Sequence, residues 1–91
     1  MIQATILESV CKAWNIKPQH ITCQSKSCTP PRYQYFWLMR LNTELPLWAI
    51  GELGNRNYNK ACVSIAIKQH HIRMKDVEYA RRFELASKLD I

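Results

Sequence analysis

The sequence predicts an all-α domain of five short helices containing a helix-turn-helix, of the Trp-repressor-like kind. Three observations carry this. Apolar residues recur at three- and four-residue spacings in successive stretches, and no stretch shows the alternation of a strand or an internal repeat. Prolines and glycines stand where helices begin and end, with Pro31 and Pro46 at openings and Gly54 at a close. The chain has 91 residues, 47% of them hydrophobic, enough apolar mass for one small core and too little for two, so residues 1–91 are read as a single domain.

The first helix is expected from about Thr5, with Thr5 and Glu8 in the Thr-x-x-Glu spacing of a capping box. Its face is Ile6, Leu7, Val10, Cys11 and Trp14, and it ends near Asn15. From Ile16 to Pro31 the periodicity lapses and polar residues and prolines dominate, which predicts a long loop with one short turn at Pro18 to Ile21. A second helix opens near Pro31 and carries Tyr33, Phe36, Trp37, Met39, Arg40 and Leu41 until Asn42 and Thr43 loosen it. The third runs from Pro46 to Gly54 with Leu47, Ile50 and Leu53 inward. The fourth runs from about Asn57 to His70 with Ala61, Cys62, Ile65 and Ala66 inward. The fifth, Lys75 to Leu89, has Val77, Ala80, Phe83, Leu85 and Leu89 as its apolar positions.

Thirteen Lys and Arg against seven Asp and Glu give a formal charge of +6, which favours an anionic partner. No stretch has the charge and apolar pattern of a leader peptide or the ~20 apolar residues of a membrane span, so a cytoplasmic, nucleoid-associated protein with no membrane partner is expected. The cysteines, at 11, 23, 28 and 62, are expected as reduced thiols, Cys11 and Cys62 within helical apolar patterns.

The stretch from Leu47 to Lys60 reads as helix, tight turn and a second helix with a polar opening, the way a helix-turn-helix presents side chains to the DNA major groove. Arg56, Asn57, Asn59 and Lys60 are hydrogen-bonding types that read base edges and phosphates. Asn57 doubles as the expected helix cap. Tyr58 suits either a sugar or phosphate contact or a groove beside Trp48. Ser64 and Lys68 follow Lys60 at spacings of four and extend one stripe along the helix. The expected DNA-binding set is Lys26, Arg32, Trp48, Arg56, Asn57, Tyr58, Asn59, Lys60, Ser64 and Lys68, with double-stranded DNA as partner. On this reading Lys60→Ala weakens binding to all sequences and Asn59→Ala weakens discrimination between them.

The run Val10-Cys11-Lys12-Ala13-Trp14-Asn15-Ile16-Lys17 stands before Ser25-Lys26-Ser27, Pro31-Arg32 opens a long apolar helix, and Leu47-Trp48-Ala49-Ile50-Gly51 precedes the turn. In this order, from Ile6 to Leu89, the chain resembles the carboxy-terminal DNA-binding domain of the bacterial replication initiator DnaA. There a Val-x-x-x-Phe/Tyr-x-Ile/Val helix end precedes a loop of Ser, Lys and Arg, Pro/Ala-Arg opens the next helix, and Leu-x-x-Ile-Gly precedes the turn. The resemblance implies action in replication initiation or transcription control, with Lys26 and Arg32 along the DNA backbone. The family's Gly-Gly-Arg-Asp-His-Thr-Thr-Val is replaced by Gly54-Asn55-Arg56-Asn57-Tyr58-Asn59-Lys60-Ala61. Because Asp-His-Thr-Thr reads the DNA box in that family, the replacement implies a changed target on a kept scaffold. The Gly-x-x-x-x-Gly-Lys-Ser/Thr loop of the initiator's nucleotide-hydrolysing part has no counterpart in the chain.

Other chemistry is less well supplied. His20, Cys23 and Cys28 fall in one loop, with His70 and His71 as further ligand types, but Cys-x4-Cys lies at the loose edge of structural zinc patterns, so no metal or other cofactor is expected. Few carboxylates, no nucleophile-base pattern and no glycine-rich loop argue against an enzyme. The competing function is a protein-interaction module on the same scaffold, its partner a replication or transcription protein held by Trp37, Trp48 and Tyr58.

Overall fold

A computed structural model describes residues 2–22, 28–53 and 56–88. The chain is all-α, with one addition. The elements are α1 (Ile2–Trp14), a 3-10 turn (Pro18–Thr22), α2 (Thr29–Asn42), a single turn α3 (Leu47–Ile50), a two-stranded hairpin β1 (Glu52–Leu53) and β2 (Arg56–Asn57), α4 (Lys60–Arg73) and α5 (Val77–Ser87).

α1 starts earlier than the sequence suggests, so Thr5 lies within the helix and does not cap it. Its end is as expected and has a clear cause. Asn15 takes a left-handed conformation (φ 54°), the amide of Ile16 reaches the Cys11 carbonyl at 3.0 Å, and that of Asn15 reaches Lys12 at 3.3 Å. This is a Schellman close, in which asparagine can stand in for glycine. α2 opens with prolines in its first turn and ends where the side chains of Asn42 and Thr43 fold back to donate to the Leu38 and Met39 carbonyls, the latter also accepting the Thr43 amide at 3.0 Å.

The core is built from Ile6 and Val10 of α1, Tyr35, Phe36, Leu38 and Met39 of α2, Ile50, Leu53, Val63 and Ala66, with Ile21 and Ala86 closing its ends. α1 lies against both α5 and α2, and α2 lies against α4. Two side chains staple α1 to α5: Ser9 donates to the Ala86 carbonyl at 2.8 Å, and Arg82 donates to the Ala13 carbonyl at 2.9 Å while its guanidinium covers the Trp14 ring.

A second, polar core joins four helices. Trp14 Nε1 donates to Gln34 Oε1 at 2.8 Å, Gln34 Nε2 donates to the Tyr79 carbonyl at 3.1 Å, and the Tyr79 hydroxyl shares a 2.7 Å hydrogen bond with His70 Nδ1. Gln34, His70 and Tyr79 are buried, and each has a partner, which makes such a network tolerable inside a small fold. Trp37 stacks on His70, and the Phe83 ring meets it edge-on. Burial, helped by the neighbouring His71, pulls the His70 pKa down to about 4.

Three expectations are corrected here. α3 ends at Ile50, and what was read as the rest of that helix and its turn is the hairpin, with Glu52 opposite Asn57 and Leu53 opposite Arg56. On α4 the buried residues are Val63, Ala66 and His70, with Ile67 beside them, while Ala61, Cys62 and Ile65 face outward. On α5 the buried positions are Tyr79 and Ala86, joined by Phe83, whereas Val77 is 84% exposed and Leu85 is also exposed.

The cysteines also differ from expectation. Cys11 is free and buried, and burial pushes its thiol pKa up; Cys62 is free but exposed. Cys28 is disulfide-bonded, so the expected set of reduced thiols does not hold. Cys23 lies outside the described residues. No described helix is long and apolar enough to cross a membrane.

Candidate nucleic-acid interface

The hairpin fixes where α4 begins. Tyr58 N–H donates to the Gly51 carbonyl at 2.9 Å, and the Tyr58 carbonyl in turn lies against Gly51 Cα. A Cβ on residue 51 would fall on that carbonyl and stand 3.2 Å from Val63 Cγ2. Gly51 has an ordinary helical φ of −70°, so glycine is required here for close backbone approach and not for a left-handed turn. The chain then turns through Asn59, whose Oδ1 accepts from the Cys62 amide at 2.9 Å and caps α4. Asn59 is therefore the cap that the sequence assigned to Asn57, and Asn57 lies exposed on β2. A bidentate adenine contact needs both the oxygen and the amide of an asparagine. The Asn59 oxygen is committed to the helix.

Tyr58 is half-buried. Its ring meets Phe36 edge-on at 5.5 Å between centroids, and its hydroxyl is buried without a hydrogen-bond partner among the described residues, so the ring packs against Phe36. Two guanidiniums lie over the same ring, Arg32 from α2 at 5.2 Å and Arg56 from β2 at 5.6 Å. Arg32 also donates to the Ile21 carbonyl at 3.1 Å, tying the 3-10 turn to α2. The structure thus brings Arg32, Arg56 and Tyr58 together at the foot of α4, a grouping distant in sequence. Lys26 lies outside the described residues.

α4 presents the rest. Lys60 and Lys68 are exposed and Ser64 partly so, on one side of a helix that packs through the opposite side. At 1.5 Å per residue Lys60 and Lys68 stand about 12 Å apart along the axis. The helix carries no carboxylate over its 14 residues, and neither does α2. Between Glu8 and Glu44 there is no acidic residue, and none between Glu52 and Asp76; each interval holds five Lys or Arg. The ion pairs among the described residues, Glu78 with Arg81 and with Arg82, both lie on α5. Trp48, on α3, is 60% exposed.

The loop histidine and cysteines do not gather a metal site among the described residues. The Cys28 sulfur is in a disulfide, and His70 has its Nδ1 engaged with Tyr79. An open groove of about 500 Å³ between α1 and α5, lined by Thr5, Glu8, Ser9, Lys12, Ala13, Leu85 and Lys88, contains none of the candidate DNA-binding residues.

No protein-family model matches this chain, and no curated protein or solved structure does so either.

Proposed function

We propose that the chain is a double-stranded DNA-binding protein that recognises sequence by laying α4 in the major groove, and that it acts in replication initiation or transcription control. The observation that carries this is α4 itself: a capped helix free of carboxylates, with Lys60, Ser64 and Lys68 outward and its inward side fully used in packing. Its length, about 21 Å, suits a groove about 12 Å wide. The N-terminal end of α4, with Lys60 on it and Arg56 and Arg32 below, supplies positive potential toward phosphates. No catalytic turnover and no cofactor belong to this reading, and the compartment is the cytoplasm, on nucleoid DNA. The Cys28 disulfide is uncommon in that compartment; it lies at the entry of α2, not on α4.

On the DnaA-like reading, Asn57-Tyr58-Asn59-Lys60 stand where the family has Asp-His-Thr-Thr, a set that cannot read the initiator's own box in the same way.

The test is selection of bound duplexes from a random pool, followed by titration of the enriched and a scrambled duplex at two salt concentrations. An enriched motif, bound far above the scrambled control and with affinity falling steeply as salt rises, is the expected result. Each phosphate neutralised adds about 0.9 to the slope of log affinity against log salt, so Lys60→Ala with Lys68→Ala should lower that slope by about 2. The exposed Trp48 favours the second reading, a protein-interaction module: no enrichment, and binding to a protein partner that is lost in Trp48→Ala but scarcely moved by salt, would replace the first.

A further inference from the structure

We infer that α4 selects thymine through its 5-methyl group, with Ala61 and Ile65 as the contacting pair; this rests on the DNA-binding reading above. Ile65 is 58% exposed, and Ala61, one turn before it, is exposed as well. Residues four apart lie on one face of a helix, so the two form a small apolar strip. Lys60, Ser64 and Lys68 border that strip, and Val63, Ala66, Ile67 and His70 hold the other side of α4 to the core.

An apolar strip with lysines along one side, on a carboxylate-free helix, fits a polyanion whose inner surface offers apolar groups. In the major groove the one apolar group on a base edge is the thymine methyl, met by small and branched aliphatic side chains. The outward side chains of the first two turns of α4 include Lys60 and Ser64, which can take a phosphate or a base edge, but no Arg, Asn or Gln; Gln69 comes later, and the Asn59 oxygen caps the helix. The direct readout that Ala61 and Ile65 can supply is methyl contact, and thymine-rich steps are what they select.

The test is the same selection run on two random pools, one containing thymidine and one made with deoxyuridine, which pairs identically and lacks only the methyl. Enrichment of a T-containing motif in the first pool and its loss or weakening in the second is expected. In titrations, each contacted thymine replaced by uracil should cost about fourfold in affinity, the weight of one buried methyl-sized group. Ile65→Ser, an exposed substitution expected to leave the thermal midpoint unchanged, should lose a similar factor and no longer distinguish the two duplexes. The same motif enriched equally from both pools, or an Ile65→Ser protein that still prefers the methylated duplex, overturns the inference while leaving DNA binding intact. No enrichment from either pool overturns the DNA-binding reading and the inference with it. A wild-type dimer that Ile65→Ser converts to monomer, with base discrimination unchanged, would instead make the strip a self-association surface.

Discussion

Acidification below pH 6.5 should destabilise this domain through one buried residue, His70. In the native state the imidazole is buried, touching Tyr79, Trp37 and Phe83, and its pKa is held at about 4 against an ordinary value of 6.5. Once unfolded, the same side chain takes a proton below 6.5. Between those values the unfolded state binds more protons than the native one, so stability is complete above 6.5 and falls as the pH drops toward 4. A displacement from 6.5 to about 4, at 1.36 kcal/mol per pH unit, amounts to about 3 kcal/mol. Total stabilities of 5–15 kcal/mol are usual for domains, so this is a large share. Urea unfolding followed by far-UV circular dichroism at several pH values from 7.5 to 4.5 should give a midpoint that falls steadily below 6.5. His70→Gln should be less stable at neutral pH but should lack that slope. Glu78, whose carboxyl is held low by hydrogen bonds from Arg81 and Arg82, loses its contribution at lower pH and in both proteins alike. Parallel pH profiles for the two proteins would refute the assignment of the slope to His70.

Substitutions at three residues test the foot of α4. Gly51→Ala drives a Cβ into the Tyr58 carbonyl, which cannot yield without opening the hairpin, and should cost 3 kcal/mol or more, about the upper range of single changes, read as a lowered thermal midpoint. Tyr58→Phe removes a buried hydroxyl with no partner among the described residues while keeping the ring on Phe36, and should raise stability by about 1 kcal/mol; a loss of that size would mean the hydroxyl has a partner in solution. Asn59→Ala should cost about 1 kcal/mol of stability as a lost cap and Asn59→Asp almost nothing, while DNA discrimination, compared after allowing for the folded fraction, should be the same for both.

The helical class, the long second helix with its proline opening, the short turn after Pro18 and the close at Asn15 were legible because each rests on local chemistry: ring-fixed φ, a left-handed asparagine, periodic apolar residues. The inward sides of α4 and α5 were not. Both helices carry apolar residues on two sides, so periodicity offers Ala61 and Ile65, or Val77 and Leu85, as readily as the residues that pack. What decides between them is nonlocal. His70 can turn inward because Tyr79 arrives from α5 with a hydrogen bond and Trp37 from α2 with a ring, and Val63 follows it to the same side. The hairpin escaped for another reason: strands of two residues are too short to show alternation, and their register comes from the close approach of Tyr58 to Gly51. The candidate interface was legible as residue types on one stretch. Its joining of Arg32 to Arg56 across Tyr58 needed the folded chain.

The tether between Gly51 and Tyr58, the Asn59 cap and the inward Val63, Ala66 and His70 together set the position of α4 without help from any outward side chain. Holding and reading are thereby assigned to separate residues. Lys60, Ala61, Ser64, Ile65 and Lys68 can be exchanged without touching what folds the domain. A change of target then requires no compensating change in the core. Such a domain can be re-addressed one outward residue at a time, with every intermediate still folded.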